Sequence, residues 1–286
     1  MGKIKTIIIT VVLLWIIAYS VSLFVEIPDF EDKVAIIPIE NTITAGALKS
    51  PVQQNVVSSS KIIEFIEKAE KDSSVRGIIL AINSPGGTVV GSKEIADKIK
   101  NVEKPVVAWI REIGTSGAYW IASASDKIVA DELSLTGSIG VISSYLEFSG
   151  LLESFNVTYE SLTTGRYKEL GSPFKELTEE ERSFLQKKLN QIHDYFVEEV
   201  ASNRNLKLTD VERLATGEFF LGKEALELGL VDYLGGKDLA VNITKELAGV
   251  EDVKIVVYEQ ERGLFDILSM LKQDFAFGSS LKIEAR

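Results

Sequence analysis

The sequence predicts an α/β fold in which a parallel sheet is covered by helices on both faces, held at a membrane by an N-terminal helix. Three observations carry that prediction. Short apolar runs of strand length alternate with segments whose apolar residues recur at helical spacing. Those short runs are apolar throughout, as strands buried on both faces must be, and not only at every second residue. One stretch of twenty residues near the start, 6–25, carries no charge.

That uncharged stretch, Thr6 to Val25, lies between Lys3 and Lys5 on one side and Glu26 and Asp29 on the other. As a helix it is long enough for a bilayer core of about 30 Å. The two leading lysines favour a cytoplasmic N-terminus and so an outward-facing remainder. A cleavable secretory signal is the alternative, but its apolar region usually runs about 7–15 residues, and Ser20-Val21-Ser22 is a weak cleavage site. The reading is a single-pass cell-membrane protein: a cytoplasmic stub 1–5, a transmembrane signal anchor 6–25, an extracytoplasmic domain 26–258 and a C-terminal tail 259–286.

The outer part then alternates. Val34–Ile39 reads as a strand, and Ser58–Lys71 as a helix through Ile62, Ile63, Phe65, Ile66 and Ala69. Gly77–Ile82 is a second strand, followed by a Ser-Pro-Gly-Gly turn and a helix from Ser92 to Lys100. Pro105–Ile110 is a third, followed by a helix over Ser116–Ala124. Lys127–Ala130, Ile139–Ile142 and Val157–Glu160 continue as shorter strands. The chain then turns helical: Thr178-x-x-Glu181 is a capping box opening a helix to Ser202, and Thr209-x-x-Glu212 opens a short one. A helix over Leu239–Leu247 and a strand over Lys254–Tyr258 close the domain. The tail from Gly263 is apolar in its first part, and its sequence leaves open whether it docks, touches a membrane or stays disordered.

Composition removes whole classes of chemistry. There is no Cys and a single His, which excludes thiol nucleophiles, disulfides, Cys-based zinc sites and multi-His metal centres. The net charge is −11, with 31 basic against 42 acidic residues and no basic block, so a nucleic-acid partner is a poor fit. Any hydrolysis has to come from hydroxyls, carboxylates and amines.

In open parallel sheets, ligands bind beyond the carboxyl ends of the strands. Two segments fall there: Asn83-Ser84-Pro85-Gly86-Gly87 and Gly114-Thr115-Ser116-Gly117-Ala118. A Gly-Gly pair can turn amide N–H groups toward one point, and a serine between small residues at a helix start exposes its hydroxyl beside its following amide. Taken singly these are a turn and an N-cap. On adjacent parallel strands they meet at one sheet edge and suggest acyl transfer. The base is open between two residue types. His193 lies in the long helix beside the stripe Leu185, Leu189, Ile192, Phe196 and Val200, and Asp194 next to it points about 100° away, so no partner orients it. A desolvated lysine is the other established base, and Lys168 is unusual in lying in a Gly-bounded, Pro-terminated loop, Gly165–Pro173.

Four motifs in order, Asn83–Gly87, Gly114–Tyr119, Thr136–Val141 and Gly165–Pro173, make the chain from Val34 to Val257 resemble the signal peptide peptidase A family of membrane-anchored Ser/Lys proteases. The resemblance implies Ser116 as nucleophile, Lys168 as general base and Ser138 as the hydroxyl that helps hold the lysine. It implies an oxyanion hole made by the Gly117 amide and one from the Gly86-Gly87 turn. It further implies the crotonase/Clp-protease-like arrangement of repeated ββα units and homo-oligomeric rings in which Ser and Lys of one site can come from neighbouring protomers; it implies no cofactor or metal.

The function expected on this reading is a serine endopeptidase that degrades signal-peptide remnants and other short apolar peptides, with activity falling below neutral pH as Lys168 protonates. The alternatives are a Clp-like membrane protease for a specific membrane protein, a crotonase-fold acyl-CoA enzyme, which would leave Lys168 without a role, and a non-catalytic scaffold.

Overall fold

A computed structural model of the chain describes residues 10–16, 19, 31–46 and 56–259. Of the predicted anchor, residues 10–16 and 19 are described and are helical (α1). Among the described residues no helix is long and apolar enough to cross a membrane. The predicted tail, 259 apart, lies outside the described residues.

The fold is mixed α/β, built on a sheet of mostly parallel strands. Its main path runs β10 (Lys254–Val257), β1 (Lys33–Glu40), β4 (Val75–Ser84), β5 (Val106–Thr115), β6 (Lys127–Ala130) and β9 (Tyr233–Leu234), every pair parallel. The unbroken apolar runs are explained by burial on both faces. Ala35, Ile37 and Ile39 of β1, with Ile78, Leu80 and Ile82 of β4, face one core under α2 (Ser59–Lys71), α3 (Val89–Lys100), α4 (Gly117–Ser123) and α6 (Glu179–Arg204). Val34, Ile36, Ile79 and Ala81 alternate with them and meet Ala240 and Ile243 of the helix Lys237–Ala248 on the other side.

Two features of this sheet position the site. At the end of β4 the pairing with β5 slips between Ile82 and Ser84, where the Asn83 side-chain oxygen accepts the Ile113 N–H at 3.3 Å. Beyond the slip, β5 leaves β6 and pairs Ile113–Thr115 with β7 (Leu135–Gly137), which is itself antiparallel to β8 (Phe219–Leu221). The sheet therefore divides at its carboxyl edge. There α4 starts, and all seven of its residues are buried, with Trp120 stacked on Phe196 of α6 at 4.7 Å. Each such aromatic contributes roughly 1.5–3 kcal/mol by leaving water. The Tyr119 hydroxyl donates to the Leu230 carbonyl at 2.9 Å, and its burial pushes the phenol well above its ordinary range.

Two of the predicted strands are not strands. Ile139–Ile142 and Val157–Glu160 have no regular structure; the pairing segment is instead Leu135–Gly137, after which the backbone turns at Gly137 (φ 75°) and Ser138 (φ 52°). From Val141 to Pro173 the chain forms an arm with only one short helix, α5 (Ser149–Ser154), whose large apolar side chains face solvent: Ile142 is 91% and Leu162 95% exposed. A strand-length apolar run needs a sheet edge to pair with, and this arm meets none among the described residues. The three-residue strands β2 (Thr42–Thr44), β3 (Val56–Ser58), β7 and β8 had no readable periodicity in the sequence.

Candidate active site

The end of β5 holds Ser116 in a conformation that few side-chain-bearing residues adopt, φ 53° and ψ −125°. Such backbone costs roughly 1–3 kcal/mol and persists only where its surroundings impose it. Here they do: the Ser116 N–H donates to the Gly137 carbonyl of β7 at 2.8 Å, and its carbonyl accepts the Trp120 N–H at 3.0 Å in the first turn of α4. The serine thus sits between a strand and a buried helix, held from both sides, where its hydroxyl reaches an open cavity.

The Gly86-Gly87 turn after β4 is fastened beside it. The Ile43 N–H donates to the Gly86 carbonyl at 2.9 Å and the Thr88 N–H to the Ile43 carbonyl at 2.8 Å, while the Gly86 N–H donates to the Ser84 hydroxyl at 3.1 Å. Both glycines are dictated by contact. A methyl group on Gly86, whose φ is 101°, would lie 2.8 Å from the Gly117 nitrogen and 3.0 Å from Ser116 Cβ; one on Gly87 would lie 1.9 Å from the Ile43 carbonyl oxygen. The amides of Gly87 and Gly117 donate to no acceptor among the described residues. Two unpartnered N–H groups beside a strained serine are the donor set that a developing oxyanion requires.

Ser138 completes this half of the site. Its N–H donates to the Glu218 carbonyl at 2.9 Å and its hydroxyl to the Gly217 carbonyl at 3.0 Å, which leaves the oxygen lone pairs free to accept. Ser116, Gly117, Gly87 and Ser138 line one cavity of about 570 Å³. Its wall is apolar at Val89, Trp120, Leu189 and Phe196.

The structure brings four of the six predicted site residues to that cavity, with Gly86 packed directly behind Ser116. It does not bring Lys168 there. Lys168 is exposed in the loop between Gly165 and Gly171, and among the described residues no lysine lines the cavity. His193 does line it, a position that helical periodicity alone could not reveal. Its Nε2–H donates to the Ala215 carbonyl at 2.9 Å, and Asp194 Oδ1 stands 3.8 Å from Nδ1, beyond hydrogen-bond reach. Among the described residues no three His, Asp or Glu side chains come together to hold a metal.

Known proteins similar to this chain include proteases. Residues 98–251 match the model of peptidase family S49, and residues 41–131 match that of Clp protease. A putative protease of Methanocaldococcus jannaschii is 37% identical over 209 residues, 72% of this chain and 67% of that protein. A putative signal peptide peptidase SppA of Enterococcus faecium is 38% identical over 199 residues, 68% of this chain and 58% of that one. Protease 4 of Haemophilus influenzae is 32% identical over 219 residues, 76% of this chain but 35% of its own length, so the chain spans about a third of that relative. Among solved structures, a membrane-bound stomatin-specific protease shares the fold at TM-score 0.54 and 14% identity, covering 81% of this chain and 99% of that one.

Proposed function

The chain belongs to peptidase family S49, and from that premise we propose that it is a membrane-anchored serine endopeptidase, with Ser116 and Lys168 as its dyad, that cuts signal-peptide remnants and other short apolar segments outside the cytoplasm. The observation that carries this reading is the turn at Ser116, a serine in strained backbone beside two amides that have no acceptor among the described residues. The apolar wall of the cavity supports apolar side chains next to the cut bond. The uncharged run 6–25 supports the anchor.

The chemistry follows from the groups. A neutral lysine amine takes the Ser116 proton as the serine oxygen attacks the scissile carbonyl; the carbonyl oxygen, now negative, is held by the Gly117 and Gly87 amides. Collapse breaks the C–N bond, the departing amine takes the proton from the lysine, and an acyl-enzyme remains. The lysine then activates water to release the second product. The Ser138 oxygen, with its own proton committed to Gly217, accepts from the amine and steers it.

Lys168 stands on the arm, outside the cavity of its own chain. A ring of copies, in which the arm of one protomer brings Lys168 to the Ser116 of the next, accounts for both the missing base and the exposed apolar side chains of the arm. His193 does line the wall, but its Nε2–H is taken by the Ala215 carbonyl and no carboxylate among the described residues is within hydrogen-bond reach of its Nδ1.

The test is peptide cleavage by the full-length chain, against apolar leader-like substrates over a range of pH. Ser116→Ala and Lys168→Ala should each lose at least about 10³-fold in kcat, while His193→Ala keeps most of it. Activity in Ser116→Ala ends the proposal; an active Lys168→Ala with a silent His193→Ala transfers the base to the histidine.

A further inference from the structure

Two neighbouring side chains of the lysine loop end on the same carboxylate at the start of α6. The Arg166 guanidinium pairs with Glu180 Oε2, and the Tyr167 hydroxyl donates to Glu180 Oε1 at 2.6 Å. The Tyr167 ring also stacks on Phe184, one turn further along the helix, with centroids 4.6 Å apart and planes 16° from parallel. On the other side of Lys168, Glu169 accepts the Tyr159 hydroxyl at 3.0 Å. Arg166, Tyr167 and Glu169 are therefore all tied down. The Lys168 side chain has no hydrogen bond, ion pair or ring contact among the described residues, and its N–H donates to the Gly165 carbonyl at 3.2 Å.

An isolated surface ion pair contributes little, because solvent screens it and two long side chains must be ordered. The arrangement at Glu180 differs in kind. One carboxylate takes charge-assisted bonds from adjacent residues, and a ring stack on the same helix prevents the tyrosine from swinging away. The Glu180 hydrogen bond also holds the Tyr167 phenol above its ordinary range, as a donor locked onto an anion should be. Helix α6 continues from this clamp to Leu189, His193 and Phe196, which wall the Ser116 cavity, so one rigid rod joins the lysine loop to the nucleophile half.

We propose that Glu180 is a positioning residue, which through Arg166 and Tyr167 fixes the loop backbone beneath Lys168 so that its amine is presented at a set height to the Ser116 of a second copy. This rests on the reading of Lys168 as the base. Glu180 touches no reacting atom; it acts through the loop. Misplacing a catalytic group by about 1 Å costs on the order of 100-fold in rate, so loosening the clamp should appear in kcat and leave substrate binding almost untouched.

The experiment compares the full-length protein with Glu180→Ala, Glu180→Gln, Tyr167→Phe, Lys168→Ala and, as a control, Glu179→Ala, measuring kcat and KM separately, with thermal melting and sedimentation. Glu180→Ala should lose about 10–100-fold in kcat with KM within about twofold, at unchanged melting temperature and size. Glu180→Gln keeps an acceptor for Tyr167 but gives up the charge that pairs Arg166, and should recover part of the loss. Tyr167→Phe keeps the ring stack and should lose less than Glu180→Ala, and Glu179→Ala should match wild type. A wild-type kcat in Glu180→Ala beside a silent Lys168→Ala overturns the clamp, as does a loss that Gln fails to rescue or that comes with disassembly. An active Lys168→Ala overturns the dyad reading itself.

Discussion

The turn that holds Ser116 and the loop that holds Lys168 are built in opposite ways. Around Ser116 the partners lie within the chain: Gly137 and Trp120 hold its backbone, Ile43 holds the glycine turn, and α4 beneath it is buried throughout. The arm that leads to Lys168 leaves Ile142, Leu146, Phe155 and Leu162 in solvent and has no strand to pair with. Large apolar side chains exposed along one segment point to a place where another surface belongs. Strained backbone and unpartnered amides are maintained by folding alone, whereas the arm is completed, on the reading proposed above, by assembly. The two halves of the dyad would then depend on different equilibria.

The sharpest test of that difference mixes two dead proteins. Ser116→Ala supplies an intact lysine and Lys168→Ala an intact serine. If each site draws its halves from two copies, co-expression of the pair in equal amounts should restore about a quarter of wild-type activity, from near zero, since one in four interfaces joins the two intact halves. If both halves belong to one chain, no mixture revives cleavage.

A second comparison strikes each half separately. Gly87→Ala forces a methyl group into the Ile43 carbonyl, where a gap of 1.9 Å leaves no room, so it should lower the melting temperature together with activity. Leu162→Asp, at a side chain 95% exposed, should leave the melting of the isolated protomer within about 0.5 kcal/mol of wild type while abolishing assembly and cleavage together. Calorimetry and sedimentation on both variants check this. An assembled, active Leu162→Asp would show that the arm is not the interface.

The sequence was legible where one chain settles the outcome. The parallel strands β1, β4, β5 and β6 and the helices over them follow from apolar runs and helical spacing, and the meeting of Gly86, Gly87 and Ser116 follows from two strand-to-helix turns on adjacent strands. It was misleading at Ile139–Ile142 and Val157–Glu160, because an apolar run does not say whether the surface that covers it belongs to its own sheet or to another molecule. It gave the Lys168 loop its Gly boundaries but not its anchor, since Arg166 and Glu180 are too far apart for any local spacing rule. His193 was placed on the apolar side of its helix, but which cavity that side faces depends on how α6 packs on α4.

The smallest effect lies at the seam between arm and body. Lys175, two residues beyond the arm, donates to Glu181 Oε1 at 2.6 Å, and the other oxygen of that carboxylate accepts the Thr178 N–H at 3.0 Å in the capping box of α6. The Lys175 hydrogen bond, followed by the Thr178 N–H, holds the Glu181 carboxyl below its ordinary value near 4.5. A folded-state value lowered below the unfolded one means that the unfolded chain binds the proton more readily. The carboxylate therefore stabilises the fold fully at neutral pH, and that contribution is lost as pH falls through the depressed value. Glu181→Gln removes the charge at every pH, so its melting temperature should lie below wild type near pH 7. The gap should hold down to about pH 5 and close on further acidification, as the wild type gives up the same interaction. Melting curves of the two proteins between pH 8 and pH 3 decide the matter: a gap that persists undiminished at pH 3 would mean that the ionised carboxylate is not what pins the arm, and that the seam rests on the neutral bonds of the capping box.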